Sequence, residues 1–276
     1  QAVNAALFIS DGNNDKVSDY VEVVPVNTTG DEIIPATEIW YTSVDGKIVA
    51  PNIPTAFNVV LLSNTYHSDK GILKFDADVT EIQNEAFKGC ANFVSMTLPN
   101  TVVTIGDSAF EDCKGLHSIL MSESLKEIGT KAFCDCISLR SINIPNGITE
   151  IKNETFSGCS KMLSAIIPNS VVTIGEGAFR YCRELQQLSI PNSVSSIGDY
   201  AFYGCTGKLY INSKKIETLS SSTDSKYNFL YQTAFSEITL GNNITKIGSN
   251  AFANYKSLTK ITIPDSVTSI GEGAFY

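Results

Sequence analysis

Residues 167–205 read IPNSVVTIGEGAFRYCRELQQLSIPNSVSSIGDYAFYGC, and within them the string I-P-N-S-V-x-x-I-G-x-x-A-F returns after 23 residues. The same period runs outward in both directions. Phe87, Phe110, Phe133, Phe156, Phe179 and Phe202 stand 23 residues apart, and Phe229, Phe252 and Phe275 continue the series after one interval of 27. A fixed period in the range of roughly 20 to 50 residues marks a stacked repeat. One unit of this size cannot bury its own apolar face, so units must stack and cover each other's Phe, Ile and Leu. A solenoid of about nine rungs is predicted, on the order of 40 Å long at the ~4.8 Å spacing of hydrogen-bonded neighbours.

The unit is clearest at 171–191, as VVTIG, EGAFRYC and RELQQLSIP. In the last piece Leu185, Leu188 and Ile190 lie in a β-favouring run closed by Pro191, which has no N–H to give a ladder. This predicts a strand. It recurs as FVSMTLP from 93, LRSINIP from 139, MLSAIIP from 162, FSEITLG from 235 and LTKITIP from 258. In the middle piece Ile174, Ala178, Phe179 and Cys182 share one side of a helical turn, which predicts one short turn of α- or 3₁₀-helix. Gly106, Gly129, Gly175, Gly198, Gly248 and Gly271 precede these turns and are read as corners that need unusual backbone angles.

With 43% hydrophobic and 18% charged residues, the chain has enough apolar surface to fold around a core. Its net charge of -9, with only 20 Lys and Arg, argues against a nucleic-acid or anionic-membrane surface, because phosphate contacts need clustered cations. No stretch approaches the ~20 apolar residues that span a bilayer, so no membrane insertion is expected. The first residues, Gln1-Ala2-Val3-Asn4, carry no basic leader, and the last unit breaks off at Tyr276. A leader already removed and further chain beyond Tyr276 are therefore expectations.

Three regions are expected. Residues 1–35 are a strand-rich segment or the tail of a preceding domain, 36–70 cap the solenoid, and 71–276 form it. Trp40, the single tryptophan, is expected to pack over the first rung as part of the cap. The pattern is irregular near 206–228. There Lys208 stands where Leu belongs, KLYIN comes two residues early, and SKKIETLSSSTDSK at 213–226 reads as a surface loop.

Six of the seven cysteines, Cys90, Cys113, Cys136, Cys159, Cys182 and Cys205, each follow a repeat Phe by three residues. Single thiols 23 apart do not match the paired spacing of zinc ligands, so they are read as core, with no metal or cofactor expected. Cys134 lies outside the frame and, beside Asp135 and Cys136, hints weakly at reactivity. His67 and His117 stand alone, and no nucleophile-elbow, zincin or phosphate-loop motif occurs, so an enzyme is not expected. Asp11-Gly12-Asn13-Asn14-Asp15 starts like a calcium loop, but Lys16 replaces the Gly and no bidentate Glu follows, which favours a polar turn. The N-x-[ST] sites at Asn27, Asn153 and Asn243 matter only in a eukaryotic secretory pathway.

The outward side of the strands is the candidate binding face. Its residues are Ser95, Thr97, Ser118, Leu120, Ser141, Asn143, Ser164, Ile166, Gln187, Ser189, Glu237, Thr239, Lys260 and Thr262. This mostly hydroxylic carpet could hydrogen-bond a protein or glycan on the concave sheet, but it carries no aromatic anchor. Keeping a β surface soluble is the plainer role for the same side chains.

Taken whole, the unit resembles the BspA-type leucine-rich repeat, L-x-x-I-x-I-P-x-x-V-x-x-I-G-x-x-A-F-x-x-C, over about residues 71–276. EIWYTSVDGKIVAPN at 38–52 and GILKFDADVTEI at 71–82 are similar to the N-terminal cap of such bacterial proteins. The resemblance implies an α/β fold. It would be a right-handed leucine-rich-repeat solenoid with a parallel sheet on one face, short helical turns and loops opposite, and a β-rich N-terminal cap. It also implies a secreted or cell-surface, non-enzymatic adhesion module, binding a protein or glycan of host extracellular matrix or of another cell, and acting as a monomer. A structural spacer that displays another domain is the alternative, and an unrecognised hydrolase a remote third.

Overall fold

The computed structural model describes residues 34–53, 55–214, 230 and 232–276. The Asp11 to Asp15 turn and Asn27 lie outside the described residues, as do residues 1–33 of the N-terminal segment and all but the first two residues of the 213–226 loop.

Each rung has three sides. The first carries the strands predicted from the Leu and Ile alternation: Phe93–Thr97, Ser118–Leu120, Ser141–Asn143, Ser164–Ile166, Gln187–Ile190, Thr206–Ile211, Ala234–Leu240 and Lys260–Thr262. They pair in parallel at equivalent repeat positions, with Ser95 beside Ser118, Ser141 beside Ser164, Ser164 beside Gln187, and Glu237 beside Lys260. The ladder lapses between Ser118–Leu120 and Ser141–Asn143, where the Arg140 N–H still donates to the His117 carbonyl at 3.1 Å. Met96, Ile142, Leu188, Leu209 and Ile238 point inward and are buried.

A second parallel sheet runs along another side, built from two-residue strands of the V-x-x-I-G piece. Glu81–Ile82 pairs with Thr104–Ile105 and that with Glu127–Ile128; Glu150–Ile151, Thr173–Ile174 and Ser196–Ile197 repeat the arrangement. The sequence reading placed no strand there. Where Gly follows the Ile, as at 106, 129, 175, 198 and 271, it serves close approach rather than an unusual backbone angle, while Gln83 and Lys152 hold the same slot in two rungs. A Cβ on Gly129 would sit 2.4 Å from the Asp107 nitrogen, and one on Gly175 2.7 Å from that of Asn153, yet neither Gly has positive φ. Beside these corners Asn and Asp cap the next rung: Asn84 Oδ1 accepts from the Asp107 N–H (2.7 Å), and Asn153 Oδ1 from that of Glu176 (2.9 Å).

The third side holds the Phe turns, and here the expected helical turn is not found; the described residues contain no α-helix. The reason lies in the backbone. The residues two before and two after Phe87, Phe110, Phe133, Phe156, Phe179, Phe202 and Phe252 are left-handed, as in Lys131 (φ 58°) and Asp135 (φ 56°) around Phe133. A right-handed helix cannot pass through them. Their N–H groups, with that of the Phe, point along the stack instead: Lys131 donates to Asn153 O, Phe133 to Thr155 O, and Asp135 to Ser157 O, at 2.7 to 3.0 Å. The N–H groups between them close local turns, as Cys134 does on Lys131 O at 3.0 Å. Tandem turns joined rung to rung satisfy every second donor outside the rung, which a helix cannot do.

Inside, Phe87, Phe110, Phe133, Phe156, Phe179 and Phe202 stack with centroids 5.2 to 5.8 Å apart and planes within 23°. Full burial of each ring contributes about 1.5–3 kcal/mol, and each offset stack about 0.5–1.5 kcal/mol more. The thiols fill the next slot and donate to the Phe carbonyl of the preceding rung: Cys113 to Phe87, Cys136 to Phe110, Cys159 to Phe133, Cys182 to Phe156 and Cys205 to Phe179, at 3.0 to 3.4 Å. Cysteine therefore serves as a small apolar residue with one weak donor.

At the N-terminal end the sheet changes direction. Glu38–Ser43 pairs antiparallel with both Phe93–Thr97 and Lys70–Phe75, and Leu61–His67 adds outside the latter. Tyr41, not Trp40, packs over the first rung, its ring edge-on to Phe93 at 5.4 Å. Trp40 sits opposite Thr97 and so faces outward, because alternate residues of a strand take opposite faces. The irregular rung is also corrected. Lys208 pairs with Gln187 and Glu237, an outward position, while Leu209 and Ile211 fill the core; the strand does come two residues early, Lys208 standing 21 residues after Gln187, and a one-residue register shift at Gly207 and Lys208 fits it to the next strand.

Candidate functional site

Parallel in-register pairing, in two runs that meet where the ladder lapses between Ser118–Leu120 and Ser141–Asn143, sets the outward residues at two matched repeat positions. One carries Ser95, Ser118, Ser141, Ser164, Gln187, Glu237 and Lys260 at matched positions, and the other Thr97, Leu120, Asn143, Ile166, Ser189, Thr239 and Thr262. None of these fourteen is buried; Ser118, Leu120, Asn143, Ser189, Lys260 and Thr262 are exposed and the rest half-buried. The structure thus brings every predicted residue onto one surface.

It also adds four that the sequence reading left out. Lys208 and Tyr210 complete the columns, Tyr210 standing between Ser189 and Thr239. Lys208 forms an ion pair with Glu237 at 3.3 Å, so this end of the face is charged where the middle is hydroxylic. At the other end Thr42 and Ser95 share a hydroxyl hydrogen bond of 2.8 Å, and Trp40 continues the Thr97 column. The Lys70 ammonium lies 3.1 Å from the Trp40 ring centroid, and the indole N–H donates to Glu38 Oε2 at 2.8 Å. The face therefore has two aromatic side chains, Trp40 and Tyr210, where none was expected. The outward phase of EIWYT, with Ile39 and Tyr41 buried, was the signal available for the first.

The other chemistry-bearing residues are not brought together. His67 ends its strand exposed, and His117 engages the Gly115 carbonyl through Nδ1 at 2.6 Å. Cys134 is buried, its Sγ 3.8 Å from Asp135 Oδ2, and burial with the Asp135 charge pushes its thiol up to about 12. A thiol so shifted is a poor nucleophile, against the hint of reactivity in its sequence context. Burial also holds Cys136, Cys159 and Cys182 well above the ordinary thiol range, and pushes Cys90 up to about 11. Among the described residues no group of three or more His, Cys, Asp and Glu is placed to hold a metal ion. Nor is any helix among them long and apolar enough to cross a membrane.

The family described as BspA type leucine rich repeat region matches residues 80–208 and 222–276, in six copies. No curated protein matches the chain in sequence. Among solved structures, the chain is similar to a leucine rich cell surface protein from Faecalibacterium prausnitzii, at 19% identity over 82% of this chain and 79% of that one, with a TM-score of 0.42. It is similar to the pneumococcal vaccine antigen PcpA at 17% identity over 82% and 78%, TM-score 0.47. A leucine rich repeat protein of T. pallidum is 24% identical over 71% and 68%, TM-score 0.35.

Proposed function

This chain belongs to the BspA-type leucine-rich repeat family, and from that premise we propose that it is a non-enzymatic binding module of a secreted or cell-surface protein. It recognises a protein or glycan, of host matrix or of another cell, through the outward face of its long-strand sheet. The observation that carries this reading is the continuity of that face. A mostly hydroxyl and amide field without buried positions has Trp40 at its first strand and Tyr210 with the Lys208–Glu237 pair near its far end, one strand before Lys260 and Thr262. Aromatic rings supply contact area at small entropic cost, and the hydroxyls between them can hydrogen-bond in either sense. The net charge of -9 favours a neutral or locally basic ligand.

The test is a glycan array and a panel of matrix proteins probed with the full chain, read also by the fluorescence of Trp40. A ligand on this face should perturb that fluorescence, and Trp40→Ala and Tyr210→Ala should each weaken binding by about tenfold or more, as interface anchors do. No saturable partner, or a partner indifferent to both substitutions, would leave the chain as a spacer and reject the reading.

A further inference from the structure

The turn edge of the stack differs from rung to rung. Around Phe87 to Phe156 its charges pair among themselves: Lys88 with Glu85 and Glu111 (3.2 and 3.0 Å), Lys114 with Asp112 (3.4 Å), and Lys131 with Glu154 (3.4 Å). Around Phe179 and Phe202 the same slots hold Arg180, Tyr181, Arg183 and Tyr203. Only three arginines occur in the chain, Arg140, Arg180 and Arg183, so two of the three meet here.

Neither guanidinium pairs with a carboxylate among the described residues. Arg180 and Arg183 lie 4.8 and 4.9 Å from the Tyr181 ring centroid, and Arg180 lies 5.4 Å from that of Tyr203. The two rings meet edge to face at 5.3 Å. The Arg180 guanidinium makes one hydrogen bond, from Nη2 to the Tyr181 hydroxyl at 3.3 Å, while its Nε is buried and without a partner among the described residues. The nearby carboxylate, Glu154, is engaged by Lys131. Guanidinium forks are shaped for two-point contact with carboxylates, and here the rings hold them in place with most of their donors unspent.

We propose that Arg180, Tyr181, Arg183 and Tyr203 form a second docking surface, apart from the sheet face, for an acidic peptide segment of a partner protein. One carboxylate seats on the exposed Arg183 fork and another on the terminal nitrogens of Arg180, and an apolar side chain lies against the half-buried tyrosine rings. Stacking of a sugar on Tyr181 is disfavoured because guanidinium groups already occupy the ring. A polyanion is disfavoured because the chain's charge of -9 repels it over more than the ~8–10 Å reach of the local pair. A short segment with a few carboxylates meets the cations within that distance.

The test uses fluorescence anisotropy of a fluorescein-labelled Glu-Tyr-Glu-Tyr-Glu peptide, its Gln-Tyr-Gln-Tyr-Gln counterpart, oligogalacturonate and heparin, with the full chain. The acidic peptide should bind saturably, at least about tenfold tighter than the Gln peptide, and weaken about fivefold or more in R180Q and in R183Q. Arg183 is exposed, so R183E should abolish binding with the thermal midpoint unchanged, and R183K should keep part of it. Trp40→Ala should leave this binding intact, which separates it from the sheet-face reading. Equal binding of the two peptides, indifference to the Arg substitutions, no saturable binding, or Arg-dependent binding of oligogalacturonate or heparin alone would each overturn the proposal.

Discussion

Alkaline pH should unfold this protein through its thiol ladder. Cys113, Cys136, Cys159 and Cys182 are 0% exposed, and burial raises each above the ordinary value of 9.0. In the unfolded chain the same thiols ionise near that value. Below it both states are protonated and the full stability of the stack is present. Above it the unfolded state binds fewer protons than the folded one, so stability falls as pH rises until the folded thiols themselves titrate. Each group then removes about 1.4 kcal/mol per pH unit. For four groups the loss is about 1.5 kcal/mol at a pH of about 9, about 6 at about 10 and about 8 at about 10.5. A typical domain holds about 5–15 kcal/mol in all, which places the unfolding midpoint between about pH 10 and about pH 12. Far-ultraviolet circular dichroism should follow the collapse, and thiolate absorbance should rise with it rather than before it. A Cys136→Ala, Cys159→Ala double variant should start less stable at neutral pH yet lose stability about half as steeply. A wild-type chain that keeps its thermal midpoint beyond about pH 12, or a double variant with an unchanged slope, would refute the linkage of stability to buried thiols.

Phe133 stacks on Phe110 and Phe156 at 5.2 and 5.6 Å, so Phe133→Ala should cost about 3–5 kcal/mol in urea unfolding; a loss below about 1 kcal/mol would mean that the stack is not the core. Gly89→Ala meets nothing within 4 Å and tests the left-handed backbone alone, at about 1 kcal/mol. Gly129→Ala adds a Cβ 2.4 Å from the Asp107 nitrogen and should cost about 1–3 kcal/mol, with the larger loss of the two expected here; the reverse order would restore the angle-based reading of the corner glycines. Iodoacetamide at neutral pH should leave Cys134 unmodified in the folded chain and alkylate all seven cysteines in urea, as read by mass spectrometry; rapid labelling of native Cys134 would contradict its burial.

The period was visible because interfaces between identical rungs demand identical residues, so Phe, Cys, Leu and Ile recur without reference to structure. The turn conformation was not, since Glu85, Ser108, Lys131, Glu154 and Tyr200 all adopt positive φ where a Gly would have announced it. Lattice-like hydrogen bonding along the stack holds these residues there, and nothing in their identities shows it. The second sheet escaped for a different reason: two residues per rung are too short to display an alternation. Lys208 stands where Leu belongs only by count from Cys205; the segment before the strand is two residues shorter than in the preceding rung, so Lys208 falls opposite Gln187 and not Leu185. For the candidate site, position on the face followed from strand alternation alone, and the whole predicted set lies on it. Trp40 and Tyr210 were out of reach because one needed the antiparallel pairing of Glu38–Ser43 and the other the shifted register.

In a stack of equivalent rungs, each core slot is constrained from both sides, while an outward slot is constrained only by its neighbours along one column. Departures from the column's habit therefore carry information that the core residues cannot. Along the turn edge the habit is a Lys–carboxylate pair, and an ion pair that exposed contributes at most about 1 kcal/mol to folding. Replacing it by Arg180 and Arg183 over tyrosine rings leaves two cations uncompensated in an acidic chain, which the fold does not require. Along the sheet the habit is Ser or Thr, and the departures are Trp40, Tyr210 and the Lys208–Glu237 pair, again with no core role. The two sets of exceptions lie on different sides of the rung, so substitutions in one should leave ligand binding at the other unchanged, and a chain carrying both variants should lose both activities while keeping the thermal midpoint set by its Phe and Cys columns.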